Sequence, residues 1–392
     1  MKRITVMTYA SRGMLAGIGR YASTKPDWVL DLVRPSPQIL TEFAVRRPDG
    51  LIGYLVEPHI LKGLARLRIP AVSHSGFLDE SPVSRVCVDS AAGGRLAARH
   101  FIEKGFERFA CLGFHERTYS AERRDGFIEA LSAKGHSCDV HEITTHEIDP
   151  FSRKQDPGTD EALGSWLKQL GRPVGLFAIN DDLAWYATER AREIGVHIPE
   201  DVALLGMDNN ATKCTFCRPS LSSIESPFQQ IGYECCALLD RTMSGKQKEI
   251  VDTRIAPTSI AIRQSSDVIA MSDNTVATAA RYIRENATRD ITTDDIAQAV
   301  HVSVQQLEDL FEKELGRKPE DELRKRRLQH AESLLLSTDM PIQEIAAGSG
   351  FSAPQALVEA FNKKHGTTPE IYRMNSRAAP STELGTVDYE TL

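Results

Sequence analysis

The sequence predicts a two-lobed α/β domain of parallel sheets followed by an all-α domain, and three observations carry that expectation. Short apolar strands alternate with helix-period stretches over residues 1–264. Strand signals then stop, and no convincing strand follows about residue 265. The C-terminal part also repeats itself at a spacing of 49 to 50 residues.

In chain order, the strand candidates are Ile4–Thr8, Trp28–Val33, Gly50–Tyr54, Pro70–His74, Val86–Asp89, Arg108–Phe114, Val174–Asn180, Val202–Asp208 and Leu221–Ile224. Helix-period stretches separate many of them, among them Ala91–Glu103, Ser120–Lys134, Ala162–Leu170, Asp182–Ile194 and Phe228–Met243. Strands that read as nearly continuous apolar runs are buried on both faces, which requires helices above and below a parallel sheet. Two sets of such units give two lobes with a cleft between them. Ligands bind beyond the carboxyl ends of parallel strands. The polar residues that close the strands, Tyr9, His74, Asp89, Asn180 and Asp208, therefore point to the cleft.

Bulk properties exclude several classes. With 41% hydrophobic and 26% charged residues the composition is that of a soluble globular protein. No apolar run of about 18 residues occurs, so no membrane span is expected. The opening residues read as a β-strand rather than a signal peptide. Seven irregularly spaced cysteines suit reduced thiols in the cytoplasm. Cys214-x2-Cys217 has no second C-x-x-C to complete a zinc site, so neither a metal nor another cofactor is expected. With no phosphate loop, nucleophile elbow or H-E-x-x-H motif, the chain does not read as an enzyme.

Residues 265–274 read as a linker, rich in Ser, Asp and Asn. Helical segments follow at Thr275–Asn286, Thr293–Val300, Val304–Leu315, Pro319–Leu336, Ile342–Ser349 and Ala353–His365, with a disordered tail expected over 377–392. Asp295-Ile296-Ala297 returns as Glu344-Ile345-Ala346, Ser303 as Ser352, and Phe311, Gly316 and Pro319 as Phe361, Gly366 and Pro369. Each copy is a short helix, a tight turn and a second helix, the helix-turn-helix pattern. The segment Ile345-Ala346-x3-Gly350-Phe351-Ser352-x8-Phe361-x4-Gly366-x2-Pro369-x2-Tyr372-Arg373 resembles the signature of the AraC family of transcription regulators. That resemblance implies a DNA-binding domain over 275–376 with two recognition helices. Ser303, Gln305, Gln306, Ser352 and Gln355 lie where those helices would meet DNA, and Gln can pair bidentately with adenine.

Charge pulls the other way. The protein carries −7, and residues 271–376 hold 13 Lys/Arg against 17 Asp/Glu. Asp309 stands where the AraC pattern usually has a basic residue, and a carboxylate beside phosphate is repelled. Arg324-Lys325-Arg326-Arg327 is the one basic cluster, readable as a solvated face or as a phosphate contact.

The first 264 residues resemble the type I periplasmic-binding-protein-like sensor of the lactose/galactose-repressor family. Val88-Asp89 followed by Gly93-Gly94-Arg95-Leu96-Ala97, then Arg123-x2-Gly126-Phe127, Asn180-Asp181 and Val202–Asn209 carry it. The resemblance implies effector contacts from Arg123, Asn180 and Asp208, with Asp181 beside one of them and Asp89 a further candidate. Asp181 and Asp89 read equally well as helix caps, and Asp208 as a turn residue. Together the two resemblances imply a cytoplasmic, homodimeric, sugar-responsive regulator. Its effector would be a pentose such as D-xylose, and it would activate sugar-utilisation genes with RNA polymerase as a further partner. The alternative is a sugar-sensing interaction protein whose helical domain binds a protein rather than DNA.

Overall fold

The computed structural model describes residues 1–8, 12–36, 38–78, 81–144, 157–268 and 273–378. The chain divides into two compact units, residues 1–270 and 271–392. The first unit begins with β1 (Lys2–Met7), α1 (Arg12–Ala22), β2 (Trp28–Val33), α2 (Ile39–Val45), β3 (Gly50–Gly53), α3 (Pro58–Leu67), β4 (Ala71–Ser73) and β5 (Ser84–Val88). The chain then enters the second lobe with α4 (Ser90–Glu103), β6 (Phe109–Phe114), α5 (Thr118–Ser132), β7 (Cys138–Ile143), α6 (Pro157–Gln169), β8 (Val174–Ala178), α7 (Asp181–Glu193), β9 (Val202–Met207), α8 (Ala211–Phe216) and β10 (Ser222–Ile224). It returns to the first lobe as α9 (Phe228–Met243) and β11 (Asp252–Ile255), and crosses once more to end on β12 (Ile260–Ala261).

Among the described residues this makes two six-stranded sheets, ordered β11-β5-β4-β3-β1-β2 and β12-β10-β9-β8-β6-β7. All pairings are parallel except β10 with β12. The first sheet is covered on both faces. Ile4, Val6 and Ile52 pack under α1 and α9 with Ile18, Ile231 and Leu239, while Met7 and Leu51 meet Phe43 and Leu61 on the other side. Each such side chain contributes about 1.5–3 kcal/mol when fully buried. In the second lobe Phe101, Phe127 and Phe177 form an aromatic chain with centroids 6.4 and 5.4 Å apart.

Two glycines set how tightly α4 and α5 lie together. A Cβ on Gly94 would stand 2.0 Å from the Arg123 carbonyl oxygen, and one on Gly126 would stand 2.2 Å from that of Ala91. Backbone meets backbone there, which fixes the position of α5 and of the side chains it carries.

Three strands lie outside the sequence expectation: β7, β11 and β12. All are sheet edges; β7 and β11 carry charged residues, and β12 is only two residues long. Gln264–Ser266 forms a short 3-10 turn. Ser265 and Ser266, where the sequence places the start of a linker, are buried in the second lobe. There Ser265 Oγ donates to the Leu204 carbonyl at 2.6 Å.

The second unit comprises α10 (Asn274–Asn286), α11 (Thr293–Ala299), α12 (Val304–Leu315), α13 (Pro319–Ser337), α14 (Ile342–Gly348), α15 (Pro354–His365) and α16 (Pro369–Ala378). Ile296, Leu307 and Phe311 are buried in the first helix-turn-helix, and Ile345, Leu357 and Phe361 in the second. The expected tail lies outside the described residues from 379 onward.

Candidate functional site

The first sheet delivers Thr8, Tyr54 and His74 to the cleft because each is the residue directly after a parallel strand. From the second lobe, α5 supplies Tyr119 and Arg123, and the turn after β9 supplies Asp208. These residues, with Phe77 and Phe228, line a cavity of about 290 Å3. A broader groove of about 1160 Å3, also walled by both lobes, shares Asp208 and Phe228 with it. The smaller cavity is the better candidate, since Arg123 and Asp208 both wall it and four aromatic rings, Tyr54, Phe77, Tyr119 and Phe228, line it.

At its centre is an ion pair. Arg123 is buried; its Nη1 donates to the Ile179 carbonyl at 2.5 Å and its Nη2 to Asp208 Oδ1 at 3.0 Å. Ser226 Oγ donates to that same carboxylate oxygen at 2.8 Å. Among the described residues, Asp208 Oδ2 accepts no hydrogen bond. Asp208 has φ 104° and Asn209 φ 48°, a conformation that costs non-glycine residues about 1–3 kcal/mol and recurs at ligand sites. The Arg123 guanidinium lies 5.2 Å from the Tyr119 ring centroid, and burial pushes the Tyr119 hydroxyl up to about 12. Burial lowers His74 to about 4, so its imidazole is neutral near pH 7. Its Nε2 has no hydrogen-bond partner among the described residues. The cavity thus offers a charged donor, a charged acceptor, a neutral imidazole and aromatic faces.

The other expected effector residues sit elsewhere. Asn180 is the N-cap of α7, its side chain accepting from the Leu183 N–H at 2.9 Å. Asp89 is the N-cap of α4, accepting from the Ala92 N–H at 2.9 Å. Neither lines the cavity. Asp181 is 2% exposed and accepts from Ser223 Oγ and the Asn210 N–H, both at 2.6 Å. It is therefore the anchor of the turn that presents Asp208, one step behind the cleft. Tyr9 lies outside the described residues. Tyr54, Phe77 and Tyr119 are lining residues that the sequence did not single out, because aromatics at element ends look like core.

Side-chain contacts tie the lobes across the cleft. The Arg117 guanidinium lies 4.4 Å from the Phe77 ring centroid, and Arg254 of β11 bonds Glu122 of α5 at 2.5 Å.

In the helical unit, α12 starts from a capping box. The Gln306 N–H donates to Ser303 Oγ at 3.2 Å, and the Ser303 N–H donates to Gln306 Oε1 at 3.0 Å. Two orphan amides are satisfied at once, and the Gln306 carbonyl is thereby occupied. Gln305 is exposed and donates to Asp309 at 3.1 Å. In the second copy the cap is Ala353, with no side-chain bond, and Pro354 opens the helix; Ser352 and Gln355 are exposed. The basic cluster is largely engaged within the fold. Arg326 and Glu322 pair at 2.7 Å with side chains 6% and 2% exposed. Arg327 donates to the carbonyls of Ala287, Arg289 and Ile291, and Arg324 pairs with Glu320 at 2.6 Å. Burial pushes the Glu322 carboxyl up, but Arg326, Lys325 and Arg317 outweigh it and hold the group below its ordinary range.

Comparison with known proteins places both units. The periplasmic binding protein-like domain family matches residues 98–266, and a helix-turn-helix domain family matches residues 296–375. The xylose operon regulatory protein of Escherichia coli strain K12 is 27% identical over 383 residues, covering 95% of this chain and 96% of that protein. Its namesake from Haemophilus influenzae is 27% identical over 335 residues, covering 83% and 85%. A solved structure described as the xylose-binding transcription activator xylR superposes with a TM-score of 0.79 at 26% identity, covering 95% of this chain and 98% of that one. These relatives are transcription regulators, not enzymes, and none of them favours the protein-partner alternative.

Proposed function

From a chain that joins a periplasmic-binding-protein-like sensor to an AraC-type double helix-turn-helix domain, a transcription regulator built like the xylose operon regulators, we infer that the effector is a pentose and that it binds between the lobes. The Arg123–Asp208 pair in the wall of the two-lobed cavity carries this reading. A sugar hydroxyl both donates and accepts, so it suits a guanidinium beside a carboxylate with one oxygen unpartnered. The apolar faces of a pyranose suit Tyr54, Phe77 and Tyr119. A cavity of about 290 Å3 lies at the small end of ligand sites, which favours a monosaccharide, and the solved relative xylR is described as xylose-binding.

Binding between lobes stabilises their closed arrangement in proportion to its preference for that state. The regulator acts in the cytoplasm as a homodimer without catalysing a reaction. Engaged at promoter DNA with RNA polymerase beside it, it activates transcription. The test is an anisotropy titration of the full chain against DNA upstream of its neighbouring sugar-utilisation genes, with and without D-xylose, at two salt concentrations. Salt-sensitive binding that D-xylose shifts is the expected result. Salt-sensitive binding with no response to D-xylose, and no calorimetric heat with it, removes the effector assignment. Absence of binding at low salt, with the protein folded, removes the regulator reading.

A further inference from the structure

The two recognition helices carry one outward face twice. α12 and α15 are both 12 residues long and end on left-handed glycines, Gly316 (φ 62°) and Gly366 (φ 67°). They are offset by 50 residues, and at that offset Gln305, Asp309 and Lys313 fall on Gln355, Glu359 and Lys363. All six are exposed. Spacing by four runs each triplet along one stripe of its helix, away from buried Leu307 and Phe311 in one copy and Leu357 and Phe361 in the other. An amide, a carboxylate and an ammonium therefore recur in order while neighbours differ: at the 50-residue offset the N-cap Ser303, whose sequence match Ser352 lies one residue earlier, is replaced by Ala353, and Gln306 by Ala356.

In the first copy the amide and carboxylate are already joined, Gln305 Nε2 donating to Asp309 Oδ1 at 3.1 Å. That bond leaves the Gln305 carbonyl and Asp309 Oδ2 as acceptors without a partner among the described residues. Glu308 beside them is matched by Lys318 at 3.1 Å, whereas Asp309 has no cation partner among the described residues. The face that would meet a base is thus rich in acceptors. In the major groove only the amino groups of adenine (N6) and cytosine (N4) donate, and guanine and thymine present acceptors. Every base pair holds one amino base, so an acceptor face reads which strand carries it.

Resting on the regulator reading above, we propose that Gln305–Asp309 and Gln355–Glu359 are specificity-determining pairs. Each reads an adenine or cytosine on one strand of its major groove, with Lys313 and Lys363 one turn further along on the flanking phosphates. The two read positions lie about one helical turn, ~10 base pairs, apart. The carboxylates weaken general attraction to DNA and in return reject guanine and thymine.

The test is selection from a randomised duplex library by the full chain, as wild type, Asp309→Asn, Glu359→Gln and Glu344→Gln. Glu344 is an exposed carboxylate of α14 and controls for charge alone. The wild-type consensus should contain two positions restricted to A or C on one strand. Asp309→Asn should open one of them to G and T, and Glu359→Gln the other, each improving binding to the formerly rejected bases by about tenfold or more. Glu344→Gln should leave the consensus unchanged. The pairs are overturned if Asp309→Asn and Glu359→Gln raise affinity equally for every sequence, or if the wild-type consensus has no amino-restricted position. A wild type that enriches no sequence overturns the regulator reading and the pairs with it.

Discussion

Asp181 should make the sensor's stability fall as pH rises towards neutrality. The carboxyl is buried against Ser223, Asn210 and Cys214, and desolvation, reinforced by the charge of Asp208, raises it to about 7. In the unfolded chain it titrates near 4. The folded state therefore binds the extra proton between those values, and the stability it contributes is fully present below the unfolded pKa and lost as pH climbs to the folded one. Well inside that window each pH unit removes about 1.36 kcal/mol, and the slope flattens towards pH 7 where the folded group is half ionised, so the loss from pH 5 to pH 7 is roughly 2.3 kcal/mol. Asparagine has the same shape and no titration, so Asp181→Asn should lack this slope whatever its absolute stability. Tryptophan fluorescence in urea isolates the effect, because all three tryptophans, Trp28, Trp166 and Trp185, lie in the first unit. Matched melts at pH 5 and pH 8 should show the wild type losing roughly 2–3 kcal/mol more than the variant. Equal losses would mean that Asp181 is ionised throughout, and the role of anchor by a neutral carboxyl would be wrong.

Other perturbations test the remaining assignments. Arg123→Met removes a charge-assisted donor from the cavity, worth about 1.5–3 kcal/mol; isothermal titration should show pentose affinity falling roughly ten- to a hundredfold, and unchanged affinity would place the sugar elsewhere. Gly94→Ala sets a methyl 2.0 Å from the Arg123 carbonyl, so α4 and α5 must part; overpacking of this kind costs about 1–3 kcal/mol, and wild-type stability in urea would contradict the close approach. Glu322→Gln leaves Arg326 buried without its counter-charge, and breaking such a pair costs about 3–5 kcal/mol, less here because Arg317 keeps some solvent contact. Circular dichroism melts of the helical unit should show that loss, and the double variant Glu322→Met/Arg326→Leu should regain most of it if burial of an unpaired charge is the cause.

The central strands were legible because burial on both faces demands unbroken apolar runs, as in Val202–Met207. The edges were not. β7 breaks the alternation with adjacent His141 and Glu142, and β12 is two residues long, so pairing rather than pattern makes them strands. Arg123 and Asp208 were readable as chemical types, yet only the fold shows that they meet. Asn180 and Asp181 look interchangeable in sequence, but one caps a helix and the other lies behind the cleft, since adjacent residues at a helix start point in different directions. The helix-turn-helix copies were the most legible part because their turn, glycine and core positions are set by local geometry. Arg326 and Arg327 were opaque for the opposite reason: their partners lie one helical turn away or on a distant loop.

The three crossings between the lobes govern how the sensor can be made and remade. The first lobe is residues 1–88 with 228–255, and the second is 90–224 with 260–268. During synthesis the first sheet waits for α9, whose Ile231 and Leu239 cover one face, and for β11 at its edge. The second sheet waits for β12. Neither lobe closes before the ribosome has passed residue 255, so the sensor matures late and as a unit, with apolar faces in search of cover until then. Recombination meets the same topology. No single crossover in the gene exchanges one lobe for another, whereas the helical unit is one continuous segment beyond residue 270. Changes in effector preference must therefore accumulate side chain by side chain around the cavity, while the DNA-binding unit is free to travel whole.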